Sequence, residues 1–312
     1  MKYVFKKVLS CIITLFIVSL LVFVAFSLIP GDPALSRLGT NATEQALASL
    51  RHQMGLDRPL VVRYFEWLFN ALRGDFGKSY SYNMTVTSMI ADKLPITLTL
   101  MLYSMVLMVI ISVPLGVYAS YKEGTAIDKA IQIINQITMA IPPFFSGILI
   151  TLIFGMTFKM FTPGGFVNIK INPARFFGFM FFPSFAIALP KSAMVLNLLY
   201  SSLNGEKKKD YVRTAYSRGN KSKTVFFKHM LKNASIPTIT FLGMALADMI
   251  AGSIIIEQVF GIPGLGRILL TSIQNRDYPV VIAIIMLIAC VVIVSNLLVD
   301  IIYKLVDPRV GD

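Results

Sequence analysis

The sequence contains little charge, little cysteine and a single tryptophan. Of its 312 residues only 14% are Asp, Glu, Lys or Arg, whereas 55% are hydrophobic, and the mean hydropathy is +0.71. A soluble globular domain of this length is far more polar, so the composition indicates a membrane protein. The two cysteines, Cys11 and Cys290, lie in separate apolar runs, which indicates neither a disulfide framework nor a cysteine metal site.

Catalytic patterns are also absent from the sequence. The only histidines, His52 and His229, are predicted on opposite sides of the membrane, and there are no paired carboxylates, nucleophile elbow or Gly-rich phosphate loop. Residues 261–266, Gly-Ile-Pro-Gly-Leu-Gly, lack the spacing of a dinucleotide loop, and Pro263 would interrupt its turn. The sequence therefore predicts no enzyme, metal site or bound cofactor, and residues 261–266 are interpreted as a tight outer re-entrant turn.

What the sequence has instead is a series of charge-poor apolar runs. Roughly 20 residues at a rise of about 1.5 Å cross the hydrocarbon core of a bilayer. The first run follows Lys2, Lys6 and Lys7; it is too long for a signal peptide and lacks a cleavage site, so we expect it to remain as an anchor. Six spans are predicted, at residues 8–29, 94–121, 130–158, 176–203, 237–256 and 278–299.

The distribution of Lys and Arg predicts the orientation of these spans. Nine of these cations lie between Glu206 and Lys232, against five in the two short connections assigned to the outside. A cytoplasmic-side bias of this kind explains the formal net charge of +13 better than nucleic-acid binding does, and it places both termini in the cytoplasm. The predicted organisation is 1–29 (N-terminus and first span), 30–93 (extracytoplasmic, helix-like at 44–54 and 59–72), 94–302 (transmembrane domain, with a basic loop at 204–236) and 303–312 (cytoplasmic tail).

The basic loop predicts a helix-turn-helix. Gly219 suits the end of a first short helix because glycine tolerates positive φ, and Pro237 is expected to separate a second helix from the fifth span. Such a loop could dock into a groove on a partner. It could equally satisfy the positive-inside rule or touch anionic lipid, and the residues alone leave both readings open.

The loop resembles the "EAA" loop of bacterial ABC-importer permeases, in which an Ala is followed four residues later by a Gly. Here these are Ala215 and Gly219, with Arg213 in place of the usual Glu and a longer distance to Pro237, as in the branch that imports dipeptides, oligopeptides and nickel. In that family the loop forms a coupling helix that sits in a cleft of the ATPase subunit. The residues that the resemblance assigns to coupling are Tyr211, Arg213, Thr214, Ala215, Arg218 and Gly219.

Further motifs extend the resemblance over essentially the whole chain. They are Pro-Gly-Asp-Pro-Ala at 30–34, Met-Gly-Leu-Asp-Arg-Pro-Leu at 54–60, Gly-Asp-Phe-Gly-Lys-Ser at 74–79, Arg-Asp-Tyr-Pro at 276–279, and an outer turn with Glu257, Pro263, Gly264 and Gly266. The long segment after the first span resembles the first of the two permease types.

The resemblance implies an all-α membrane protein of the type I ABC importer fold, with six transmembrane helices. It implies a bacterial inner-membrane location and, as partners, a second homologous permease, two cytoplasmic ATPase subunits and an extracytoplasmic solute-binding protein. ATP and Mg²⁺ would then be bound by the ATPases, not by this chain. The expected cargo is a peptide, with nickel or a metallophore as the alternative. An ion-driven secondary transporter would instead show inverted repeats and a cluster of intramembrane acids, and neither is found in the sequence.

Three polar residues inside the spans are candidates for the translocation pathway. Lys191 and Asp248 lie within the fourth and fifth spans, where charge is costly and faces a cavity or a partner. Asn197 follows in the fourth span, where the family more often has basic side chains. The alternative is a structural ion pair between Lys191 and Asp248, or a Lys191 that reaches a headgroup.

Overall fold

The computed structural model of the chain describes residues 2–29, 31–39 and 42–306. Pro30 of the first motif and residues 307–312 of the expected tail lie outside the described residues. Contacts between Cα atoms divide the chain into two compact units. The first comprises Met1–Thr97 with Pro263–Val294, and the second comprises Leu98–Ile262 with Ser295–Asp312.

The described residues are helical, and they contain no strand beyond one isolated bridge between Lys78 and Thr85. Two segments are π-helical: Thr151–Thr157 continues the helix that ends at Ile150, and Val225–Met230 joins the helices on either side of it. The helices are α1 (Lys2–Leu28), α2 (Pro33–Leu38), α3 (Glu44–Gln53), α4 (Leu60–Leu72), α5 (Val86–Tyr121), α6 (Ala126–Ala140), α7 (Pro143–Ile150), α8 (Pro173–Glu206), α9 (Asp210–Ser217), α10 (Ser222–Thr224), α11 (Leu231–Phe260), α12 (Leu265–Gln274) and α13 (Tyr278–Val306).

Five helical stretches in the described part of the chain are long and apolar enough to cross a membrane, and a sixth is obtained if one bent pair counts as a single span. The bent pair is α6 with α7 and the π-helical segment after it, and the chain direction bends by 103° between its two arms. The break falls at Pro142 and Pro143. A proline lacks the N–H that a helix needs and disfavours helical geometry in the residue before it, so Ile141 and Pro142 are both extended. The sequence is compatible with either a broken helix or a bent one at these prolines, and the structure has a broken helix.

The expectation that Pro237 ends a helix is wrong. Residues from Ser222 to Phe260 form one helical stretch of 39 residues, and Pro237 lies inside α11. Internal prolines are tolerated in membrane helices because nearby hydroxyls and packing compensate for the lost backbone bond. Two hydroxyls near Pro237 donate to carbonyls of the same helix, Ser235 to Leu231 at 2.6 Å and Thr240 to Ile236 at 3.2 Å, but neither reaches the Asn233 carbonyl that Pro237 leaves without its helical donor.

A buried carboxylate holds the first unit together at the start of α13. Asp277 is fully buried and accepts hydrogen bonds from the Ser79 hydroxyl at 2.5 Å and from the backbone N–H groups of Tyr80 at 2.9 Å and Ser81 at 3.2 Å. Its own N–H donates to the Ser272 carbonyl at the end of α12. Because these donors satisfy the charge, Asp277 connects the segment after α4 to the corner between α12 and α13.

We expect Asp277→Ala to destabilise the protein by about 3 kcal/mol, since it removes a charged acceptor from the buried Ser79 hydroxyl and from two part-buried backbone N–H groups. The matched control is Asp75→Ala, because Asp75 is exposed and its carboxylate accepts from the Gly77 N–H two residues along the chain. Thermal unfolding of the purified chain in detergent measures both. Equal melting temperatures for the two variants would contradict this account of Asp277.

Candidate functional site

The short helix α9 is the centre of the candidate coupling site. It ends in a Schellman motif: the Gly219 N–H donates to the Tyr216 carbonyl at 2.9 Å, and the Asn220 N–H donates to that of Ala215 at 3.3 Å. Gly219 has a φ of 79°, the positive value that the sequence predicts for it. The helix therefore stops at a defined point and has a fixed length of eight residues.

The predicted coupling residues divide between two faces of α9. Val212 and Ala215 are buried and are separated by three residues, so they share one helix face. The opposite face is exposed and includes Arg213, whose nearest acid is the fully solvated Asp210 at 3.9 Å. Such a surface pair contributes little to stability, so the Arg213 guanidinium is free to meet a partner. The exposed members of the predicted set are Arg213, Thr214, Arg218 and Gly219.

The buried face of α9 belongs to an apolar cluster whose other members come from the carboxyl end of α8 and the start of the α10–α11 stretch. Val113 and Val117 of α5 are partly buried and pack against this cluster. Tyr121 packs edge-on against Phe226 with ring centroids 5.3 Å apart. The cluster comprises Leu199, Leu203, Val212, Ala215, Val225, Phe226, Met230 and Ala234. A displacement of α9 must therefore move the ends of these helices as well.

A buried acid at the end of α8 secures α9 to this cluster. Glu206 is 7% exposed and accepts hydrogen bonds from the Tyr211 hydroxyl and, at 2.5 Å, from Lys209 Nζ. Burial raises the pKa of Tyr211 to about 12, and the hydrogen bond to Glu206 acts in the same direction. Glu206 is not among the residues predicted from the sequence, although an acid directly after an apolar run and before three lysines is a usable signal.

A second polar group connects α5 to α8 beside the cluster. Lys207 Nζ donates to the Ser120 carbonyl at 2.7 Å and contacts Glu123 at 2.5 Å. The Ser120 hydroxyl donates to the Asn204 side-chain oxygen at 2.7 Å. The end of α5 and the end of α8 therefore form one platform under α9.

The structure brings two of the three pathway candidates together. Lys191 Nζ of α8 lies 2.7 Å from a carboxylate oxygen of Asp248 on α11. The Lys191 side chain is 15% exposed, whereas that of Asp248 is 64% exposed, so only the lysine is enclosed by this chain. Asn197 is exposed further along α8 and is not part of the pair.

The outer-turn residues span the point in the sequence where a stretch of the second compact unit ends at Ile262 and the first unit resumes at Pro263. Glu257 is fully buried near the end of α11, and its carbonyl accepts from the Ile262 N–H at 2.8 Å in a second Schellman motif around Gly261, whose φ is 69°. In the first unit, Thr97 Oγ1 accepts from the Leu265 N–H at the start of α12. The remaining outer-turn residues are Pro263, which is half-buried, and Gly264 and Gly266, which are buried.

Comparison with known families accounts for this arrangement. Residues 112–312 match the model of the binding-protein-dependent transport system inner membrane component, and residues 1–101 match the model of its N-terminal part. The chain belongs to this family. It is therefore a multi-pass membrane permease component of an ABC transporter and not an enzyme, and separate subunits hydrolyse the ATP.

Curated relatives cover nearly the whole permease. A probable peptide ABC transporter permease protein of Sinorhizobium fredii is 33% identical, over 99% of this chain and 98% of the relative. An oligopeptide transport system permease protein of Bacillus subtilis is 34% identical, again over 99% and 98%. These matches confirm the resemblance inferred from the sequence motifs.

A solved structure confirms the fold class. The crystal structure of an amino acid ABC transporter with histidines superposes with a TM-score of 0.52 and 18% identity, over 72% of this permease and 95% of that chain. An all-α ABC permease fold was the expectation from sequence. Membership of the family also implies partnership with ATPase subunits and a binding protein.

We expect Tyr211→Phe to loosen α9 by about 1–2 kcal/mol, because it removes a donor to the buried Glu206. The folded pKa of Tyr211 exceeds that of an unfolded tyrosine, so its contribution is fully present below about pH 10 and is lost as the pH rises towards 12. The difference in melting temperature between wild type and variant should therefore be constant from about pH 6 to 9 and should shrink above about pH 10.

The matched control for this experiment is Tyr216→Phe on the same helix, since Tyr216 is 46% exposed. It should leave the melting temperature unchanged over the same pH range. If both variants melt together, Glu206 does not hold α9 through Tyr211.

Proposed function

We propose that this permease forms half of the pathway of an ATP-driven peptide importer, together with a second, homologous permease. An extracytoplasmic binding protein would deliver the peptide, and two ATPase subunits would bind on the cytoplasmic side, where both termini of this chain also lie. The names of the relatives in Sinorhizobium fredii and Bacillus subtilis support a peptide over nickel or a metallophore. In this proposal the chain binds no cofactor, and ATP and Mg²⁺ are held by the ATPases.

The observation that carries the coupling role is the position of α9. Its exposed face presents Arg213, Thr214 and Arg218, while its buried face contacts an apolar cluster from the ends of α8 and the α10–α11 stretch, against which α5 packs. When the ATPase subunits close on ATP, they would displace α9, and the platform would carry that displacement into three long helices. The energy of ATP hydrolysis would reach this chain as a mechanical displacement of α9, and α9 would take part in no chemical step.

We further propose that Lys191, Asp248 and Asn197 face the route of the peptide. A peptide carries a charged group at each terminus, and an ion pair with an exposed carboxylate can exchange partners as such a ligand passes. The exposure of Asp248 and Asn197 supports this assignment. Charged residues inside the bilayer are costly, and they face a water-filled cavity or the bundle interior, or pair with one another.

Reconstitution of the permease with the proposed partner subunits tests the assembly and its cargo. Affinity purification of this chain should recover ATPase subunits and a second permease, and proteoliposomes with the binding protein should accumulate labelled peptide when ATP is inside. Uptake of nickel instead of peptide would overturn the cargo. Uptake that follows an ion gradient without ATP would overturn the mechanism.

We expect Gly219→Val to uncouple ATP hydrolysis from uptake. A β-branched residue at positive φ strains the end of α9 by about 1–2 kcal/mol, although a Cβ would meet no atom there. Uptake should fall several-fold while the ATPases continue to hydrolyse ATP. Gly205→Ala is the matched control because a Cβ there also meets no atom and its φ is not positive. Normal coupled uptake in Gly219→Val would contradict the role of α9.

The ion pair of α8 and α11 allows a charge-swap experiment. Lys191→Asp and Asp248→Lys should each reduce uptake, because each replaces the native ion pair, 2.7 Å apart, with two side chains of like charge. If the pair is only structural, the double swap restores uptake of every peptide. If it faces the route, the double swap restores assembly but alters the preference among peptides of different terminal charge. Normal transport by all three variants would exclude both roles.

A further inference from the structure

The helix α4 has two apolar faces, and only one of them is covered within its unit. Tyr64, which is 2% exposed, packs with Phe23 of α1 and Ile282 of α13 in a buried cluster. Leu60, Trp67 and Leu68 of α4 pack against the same cluster. This face alone is enough to attach α4 to α1 and α13.

The second apolar face of α4 is exposed. Its residues recur at spacings of three and four, so they form one stripe about 100° wide along the whole helix. Leu72 is 76% exposed and Val61 is 62% exposed. The stripe comprises Val61, Val62, Phe65, Phe69 and Leu72. Two phenylalanines and three aliphatic side chains aligned in this way form a surface that water disfavours.

The polar residues of α4 are confined to the remaining sector. Arg63, Glu66 and Asn70 line a cavity of about 560 Å³ within the first unit. Glu66 also accepts from Arg58 at 2.8 Å. The helix is therefore amphipathic: its polar residues line the cavity, and its apolar stripe is exposed on the surface.

A hydrogen bond fixes the depth of α4 relative to the membrane. The hydroxyls of Tyr64 and Ser19 are 2.8 Å apart and buried. Ser19 lies nine residues before the end of α1 at Leu28, which corresponds to about 13 Å along the helix axis. Since α1 is an apolar helix of membrane-spanning length, this contact lies inside the hydrocarbon region. The exposed apolar side chains of α1, such as Phe16 at 46% and Leu20 at 39%, lie at the same level.

We infer that α4 is immersed in the leaflet at the carboxyl end of α1, where its stripe contacts lipid acyl chains. Interfacial amphipathic helices bury an apolar face by about 5–10 Å in this way, with aromatic residues near the headgroups. The stripe continues the lipid-facing surface of α1, and every charged group of α4 is turned away from it. The segment between the first two spans is thus partly a membrane element and not an external cap throughout.

Accessibility of nitroxide side chains in the assembled importer tests this inference. Cys11 and Cys290 are first replaced by Ser, and single labels are then attached through Phe65→Cys and Phe69→Cys on the stripe. Asn70→Cys reports the polar sector of the same helix, and Ser49→Cys on α3 reports a helix without buried residues. Collision rates with oxygen, which partitions into lipid, and with a water-soluble nickel chelate are measured in lipid bilayers.

At Phe65 and Phe69 we expect oxygen collisions to exceed chelate collisions several-fold, and at Ser49 we expect the reverse. High chelate accessibility on the stripe would overturn the inference, because the stripe would then face water. Low accessibility to both reagents would also overturn it, because the second permease or the binding protein would then cover the stripe. Co-purification of each labelled variant with its ATPase subunits provides the check that the importer is intact, and this check does not depend on which cargo the importer carries.

Discussion

The function of this permease depends on the apolar contact beneath α9. Val212 and Ala215 are buried against side chains from α8 and from the α10–α11 stretch, with α5 packed alongside. Apolar burial is non-directional, so it would hold α9 in place without setting its orientation. The Schellman motif at Gly219 and the hydrogen bond between Tyr211 and Glu206 supply that orientation. A short, rigid helix fixed to several long ones can transmit a displacement that a flexible loop would absorb.

Two buried acids, one in each compact unit, each join a helix to a neighbouring segment. Glu206 joins α8 to α9, and Asp277 joins the segment after α4 to the corner before α13. A carboxylate in an apolar environment is costly unless donors surround it, and each of these acids receives at least two. Each therefore fixes a connection that apolar packing alone would leave free to slide. Both lie at the end of an apolar helix, where a polar connection meets the membrane-spanning part.

Sequence reasoning worked where the signal was local. Apolar runs located the long helices, because a span needs about 20 apolar residues whatever surrounds it. Glycine at 219 predicted a helix end because few other residues adopt positive φ. Proline was less informative, since Pro142 and Pro143 break a span whereas Pro237 lies within a continuous helix. The difference is local: Pro143 directly follows Pro142, which is extended, whereas Pro237 is a single proline within the continuous α11.

By itself, the sequence determined the membrane class, the approximate spans, the turn glycines and the family, because each rests on composition, short-range geometry or motif. The tertiary structure alone decided which polar residues meet. Lys191 and Asp248 are 57 residues apart in the chain, and Ser79 and Asp277 are 198 apart. It also decided that α4 reaches the depth of Ser19. Such contacts depend on how helices pack, and one chain's pattern of apolar residues is compatible with many packings.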